Sequence, residues 1–198
     1  CSTAEGKALS YCLSSFLFLV KKDKRALLSV SPSHPKPMLN IVQGDLFGLA
    51  PAKSIIAHGC NAQGKMNSGF AKQIRRKFAG NYLYYHRSYL EDGLKAGDVL
   101  FYSDQRSGTH IANVISQEYY GRDKSVVYVD YINLTKGLLR VKQYAIVTHL
   151  PIYFPFIGGG LANGDHEVLL KIFKKVFDDV DATLCVEDLS LYQDSHGE

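Results

Sequence analysis

The sequence predicts an α/β domain of alternating layers, and two observations carry the prediction. From residue 38 onward, short apolar runs of strand length alternate with longer runs whose apolar positions recur at helical spacing. Twice, an apolar run passes directly into a glycine-punctuated loop that precedes a helical pattern. The first case is Ile55 to Phe78, IIAHGCNAQGKMNSGFAKQIRRKF, and the second follows Leu150 to Phe156 with IGGGLANGD over Ile157 to Asp165.

Strands are expected near 38–42, 54–58, 98–103, 110–115, 150–154 and 183–187. Phe70, Ile74 and Phe78 fall at i, i+4 and i+8, so the segment between the first loop and Phe78 reads as an amphipathic helix. Its other faces carry Lys72, Arg75, Arg76 and Lys77, a basic run with no obvious aromatic stacking partners. A longer helix fits Tyr131 to Val147 on the stripe Leu134, Leu138, Val141 and Ala145. Another fits His166 to Phe177 on Val168, Leu169, Ile172, Phe173 and Val176. Asp92-Gly93 and Ser107-Gly108 read as turns, and Gly121 to Val129 reads as a mobile connection.

A chain of 198 residues, 46% hydrophobic and 21% charged, suits one globular domain with a substantial core. The expected division is a domain over 38–190, an appendage over 1–37 and a polar tail over 191–198. The formal net charge of +4 favours anionic ligands without demanding a nucleic acid. Cys1, Cys12, Cys60 and Cys185 are scattered without C-x-x-C spacing, which indicates neither a zinc site nor a disulfide framework and fits a reducing, cytoplasmic or otherwise intracellular setting. The apolar run Ala8 to Val20 is shorter than the roughly 20 residues a membrane helix needs. No membrane association is expected, and a monomer is the simplest assembly.

Glycines at a strand end let an anion approach backbone N–H groups without interference from a Cβ. Two such loops suit a diphosphate gripped from both sides. Gly59 to Lys65 also matches the G-x-x-x-x-G-K-[ST] phosphate loop in all but its last position. Met66 stands there, and a thioether cannot replace the hydroxyl that holds Mg²⁺. Asn67, Ser68 and Gly69 further prolong the loop where that motif would already be helical, which disfavours an NTPase.

Several separated motifs then recur in order. They are Gly44-Asp-Leu-Phe47, His58-Gly-Cys-Asn61, Gly64-x-Met66-x-Ser68-Gly69-x-Ala71-x-x-Ile74, IANVISQ over Ile111 to Gln117, YGRD over Tyr120 to Asp123, and Gly158-x-Gly160-Leu161-Ala162-x-Gly164-Asp165. Together they resemble the macro domain, over roughly Met38 to Leu189. Within it the chain looks most like the branch containing ADP-ribose-1″-phosphate phosphatases and ADP-ribose-glutamate hydrolases. The resemblance implies a three-layer α/β/α sandwich around a mixed sheet, with ADP-ribose in a cleft at the strand ends and no metal or cofactor.

Carried over position by position, the resemblance makes Asp45 the acceptor for the adenine amino group, with Leu46 beside it. It gives Asn61 to the distal ribose, and it gives Gly64, Met66, Ser68, Gly69, Gly158, Gly159, Gly160, Leu161 and Ala162 to the diphosphate loops. His58 and Asp165 become the catalytic pair, Asp165 orienting or deprotonating water and His58 stabilising or protonating the leaving phosphate. Each also has a plainer role: a turn cap for Asp45, a buried histidine for His58, a helix N-cap for Asp165. The implied activity is hydrolysis of ADP-ribose-1″-phosphate; removal of ADP-ribose from modified macromolecules and binding without turnover are the alternatives. Gln117 stands where the glutamate-linked hydrolases carry a lysine nucleophile, and an amide cannot form that covalent adduct. His166, Gly159 and Asn67 also depart from the family's usual Trp, Cys and Gly.

Overall fold

The computed structural model describes residues 39–192; the expected appendage over 1–37 and most of the tail over 191–198 lie outside the described residues. Six strands form one sheet: β1 (Asn40–Gln43), β2 (Ile55–Asn61), β3 (Val99–Ser103), β4 (His110–Gln117), β5 (Ile152–Pro155) and β6 (Ala182–Val186). Their order across the sheet is β1-β6-β5-β2-β4-β3. All neighbours are parallel except β3 and β4, so the sheet is mixed. Every expected strand is present, with its ends shifted by a few residues.

Helices cover both faces, which gives the three layers. Helix α4 (Tyr131–Thr148) and helix α5 (His166–Val176) pack on one side, where Leu134, Leu138, Leu169 and Phe173 meet Ile55, Ala57, Ala112, Val114 and Phe154. Helices α1 (Leu46–Leu49), α2 (Gly69–Lys77) and α3 (Ala79–Asp92) lie on the other. There Leu46, Ile74 and Phe78 meet Ile56 and Ile111, while Met66 and Tyr85 meet Cys60 and Ile115. Helix α3 was not expected: its apolar positions are scattered among tyrosines, and Phe78 ends α2 only to cap α3 one residue later.

Strand alternation decides which layer each residue of β2 serves. Ile55, Ala57 and Gly59 share one face, and Ile56, His58 and Cys60 the other, up to the register shift between Cys60 and Asn61. His58 therefore enters the layer under α3, where it is fully buried. Its Nε2 lies 2.9 Å from Asn113 Oδ1, which also accepts from Asn81 Nδ2 on α3 at 2.9 Å. Asn113 Nδ2 donates in turn to Asn81 Oδ1 at 2.7 Å and to the Leu100 carbonyl at 3.0 Å. One asparagine thus ties β2, β3, β4 and α3 together, and no buried side-chain polar atom among the described residues is left without a partner. Buried polar groups stay tolerable only while paired. Replacing Asn113 with Ala strands His58 and Asn81 together, and chemical denaturation should register a loss of about 3 kcal/mol; a loss below about 1 kcal/mol would show that the network is dispensable.

Candidate functional site

Strands β2, β4 and β5 run parallel, so their C-terminal ends and the loops leaving them meet on one edge of the sheet. That is where an open α/β sheet forms its crevice. A cavity of about 360 Å³ opens there. Asn61, Lys65 and Asn67 to Ala71 line it from the β2 side, and Ser116, Gln117 and Tyr120 to Arg122 from the β4 side. Pro155 to Gly158 and Gly160 to Ala162 close the β5 side, with Gly59 also among the lining residues. A Cβ on Gly59 would stand 2.9 Å from Ile157 Cγ2 and 2.9 Å from Ser116 Oγ, so only glycine allows the three strand ends to converge.

The first loop is organised by Asn61. Its Oδ1 accepts from Gln63 N at 3.0 Å and Lys65 N at 3.2 Å, and its Nδ2 donates to the Lys65 carbonyl at 2.7 Å. Tyr85 Oη, from α3, donates to the Asn61 carbonyl at 2.6 Å. Asn61 lies on the cleft wall, and its side chain works as the internal brace of the loop. The second loop turns at Gly158, with φ of +86°, and closes through Gly164 N donating to the Gly158 carbonyl at 2.8 Å. Residues 121–129, expected to be mobile, are held against this loop: Asn163 Nδ2 donates to the carbonyls of Asp123 and Val126, and Tyr128 N donates to the Ala162 carbonyl.

Seven of the expected residues line the cavity: Asn61, Ser68, Gly69, Gly158, Gly160, Leu161 and Ala162. The other seven lie elsewhere, each for a local reason. Asp45 caps α1, its Oδ2 accepting from Gly48 N at 3.1 Å, and Leu46 is buried beneath that helix. Met66 is fully buried beside Cys60 and Tyr85. Gly64 has φ of +68° and packs where a Cβ would stand 2.7 Å from Tyr89 Cγ, so its glycine serves the turn and the fit against α3. Gly159 lies against the Phe156 ring, itself 4.6 Å from the His166 ring between centroids. Asp165 is exposed and caps α5, with Oδ1 accepting from Val168 N at 3.0 Å. His58 is fully buried in the layer under α3 and is not among the residues lining the cavity.

The lining residues include Lys65 and Arg122 but no carboxylate and no histidine. An anion meets two cations and the exposed backbone of two loops, and nothing there repels it. Lys65, Asn67, Phe70, Ser116, Gln117, Tyr120, Arg122 and Phe156 complete a wall that glycine motifs alone do not reveal. The signal for the β4 contribution was present: a buried run, HIANVISQ, ends beside the two loops once the strands are taken as parallel. Among the described residues, no group of three or more His, Cys, Asp or Glu side chains is gathered as a metal site needs, and no helix is long and apolar enough to cross a membrane.

No protein-family model and no curated protein sequence matches the chain. Solved structures do. A Bacteroides thetaiotaomicron protein described as of unknown function superposes with a TM-score of 0.66 at 24% identity, over 75% of this chain and 97% of its own. The macrodomain of Mycobacterium tuberculosis DarG superposes with a TM-score of 0.64 at 20% identity, over 75% of this chain and 97% of that one. The fold is a macrodomain fold. A further structure, Thermosipho africanus DarTG in complex with ADP-ribose, reaches a TM-score of 0.62 at 13% identity and covers 74% of this chain and 41% of that one.

The buried histidine of this macrodomain fold gives a test of its placement. Burial pushes the His58 pKa down from 6.5 to about 4, against the smaller upward pull of the hydrogen bonds with Asn113 and the Gly59 backbone. Below about pH 6.5 the unfolded chain binds a proton that the folded chain refuses, so stability rises with pH between about 4 and 6.5 and His58 adds no slope above that window. From pH 7 to 4.5 this one group should remove roughly 2–3 kcal/mol. Urea titrations at the two pH values, repeated on His58→Gln, should show the difference shrinking by that amount; an unchanged difference would place the histidine in contact with solvent.

Proposed function

We propose that the cleft binds ADP-ribose. The observation that carries this reading is the make-up of the wall: two glycine loops at the ends of parallel strands, two cations and no acidic group, around a cavity of about 360 Å³. Backbone N–H groups on both sides suit a diphosphate, which needs many donors in a narrow slot and no competing charge. The Phe156 ring offers an apolar face for a base, and the Asn61, Ser116 and Gln117 side chains offer polar groups for ribose hydroxyls. Thermosipho africanus DarTG, part of which shares this fold, is described in complex with ADP-ribose, and this supports the choice of ligand.

Gly160 provides a direct test. A Cβ there meets nothing within 4 Å and the backbone does not need glycine, so a side chain at that position enters the cleft without disturbing the core. Isothermal calorimetry with ADP-ribose should give a 1:1 complex, and Gly160→Glu should weaken it at least 10-fold, because a carboxylate then faces the diphosphate. Undiminished affinity would remove the loops from the site.

Hydrolysis of ADP-ribose-1″-phosphate is a second reading, supported by one observation: an exposed carboxylate, Asp165, follows the second loop directly. General-base chemistry would then fall to Asp165 with the backbone donors, since the burial of His58 removes it from any substrate in the cleft. The conservative variant Asp165→Asn retains an oxygen for the Val168 cap and removes the base. Phosphate release by the parent chain, lost at least 100-fold in this variant while ADP-ribose affinity persists, would establish the reaction. Binding with no release by either chain would leave recognition without turnover as the function.

A further inference from the structure

Helices α2 and α3 carry a surface that ADP-ribose recognition does not use. The chain as a whole has 23 basic and 19 acidic side chains, yet residues 46–90 contain seven Lys or Arg and no Asp or Glu. Lys72, Arg75, Arg76 and Lys77 are all exposed, and none of them joins an ion pair among the described residues. Three of these cations, Lys72, Arg75 and Arg76, border a hollow of about 240 Å³ with Met66 and Asn67. Asn67 also lines the main cleft, so the two depressions meet at that residue.

A solvated basic helix face would have mobile side chains over an indifferent floor. Here the floor is a stack. The Arg75 guanidinium lies 4.1 Å from the Tyr82 ring centroid and donates through Nη1 to Asn67 Oδ1 at 2.7 Å. Tyr82 stacks on His86 at 5.6 Å and 15°, and His86 on Tyr89 at 6.2 Å and 28°. All three rings come from α3, outside the basic run itself, so the spacing of that run does not reveal its aromatic partners.

Positive charges that are not neutralised by carboxylates attract phosphates, and a fixed guanidinium plane backed by rings offers a surface on which an unpaired base can stack. An acidic peptide would use the charges and leave the stack without a role. A duplex would hide the base faces that the stack could engage. We infer that the α2–α3 surface binds single-stranded nucleic acid, with phosphates on Lys72 and Arg76 and a base over the Arg75–Tyr82 stack.

Fluorescence anisotropy of the full chain with a fluorescein-labelled single-stranded 12-mer tests this, from 50 to 200 mM salt. Affinity should fall as salt rises, with a log–log slope of about −0.7 for each phosphate contacted. Lys72→Gln combined with Arg76→Gln should weaken binding about 10-fold and make the slope shallower by about 1.4. Arg75→Lys keeps the charge and loses the plane, so affinity should fall several-fold with the slope unchanged. Thermal melts of the variants confirm the fold, since all three positions are exposed. The double variant lies outside the cleft, so its ADP-ribose affinity should match the parent's and separates this proposal from the reading of the cleft. Wild-type oligonucleotide affinity in the double variant would overturn the inference, as would equal binding of a duplex or of polyglutamate.

Discussion

The described residues are arranged around the two covered faces of β2. A strand buried on both sides must give each successive residue to a different layer, and from Ile55 to Cys60 β2 does so with small or apolar groups except at His58. The polar exception is made tolerable by Asn113, which lies beside it on β4 and carries the hydrogen bonds onward to α3 and β3. Positioning β4 beside β2 also brings Ser116 and Gln117 to the same edge as the first loop. The hydrogen bonds that satisfy a buried histidine and the ones that set the cleft's width are thus parts of one sheet register.

The glycine loops illustrate how one residue type can do different work at neighbouring positions. Gly59 is small because three strand ends crowd it, Gly64 because a tyrosine ring lies against it, and Gly158 because its backbone turns through a left-handed conformation. Gly160 has open space in front of it. Of the four, it alone is suited to leave room for a ligand without a structural reason to be glycine. Sequence motifs count these glycines alike, whereas the packing around them separates scaffold from site.

The strands, α4 and α5 were legible because their periodicities are strong and their boundaries fall at glycine, proline or a capping aspartate. Helix α3 was not: Tyr82, Tyr85, His86 and Tyr89 form its inward and lateral contacts, and aromatic side chains blur a pattern that leucines would have made plain. The site was legible in its loops and less so in its side chains. His58 and Asn61 stand in one motif, yet Asn61 lines the cleft while His58 is fully buried against Asn113. Asp45 and Asp165 both take the capping role that their positions before helices allow, and Phe156 and Arg122 enter the cleft wall through tertiary folding alone.

Asn163 supplies one last consequence. Its left-handed backbone, with φ of +55°, turns its amide toward the carbonyls of Asp123 and Val126, so a stretch of chain some 40 residues earlier becomes part of the cleft's rim. The floor of the cleft belongs to the sheet and changes only if the fold does. The rim over 120–127 is tied to the second loop by the Asn163 amide and by Tyr128 N on the Ala162 carbonyl, and its exposed residues can drift while Tyr128 and Val129 stay packed on the core. A lineage could therefore exchange what the cleft admits, leaving both glycine loops as they are, by rewriting the few exposed residues between Tyr120 and Val127.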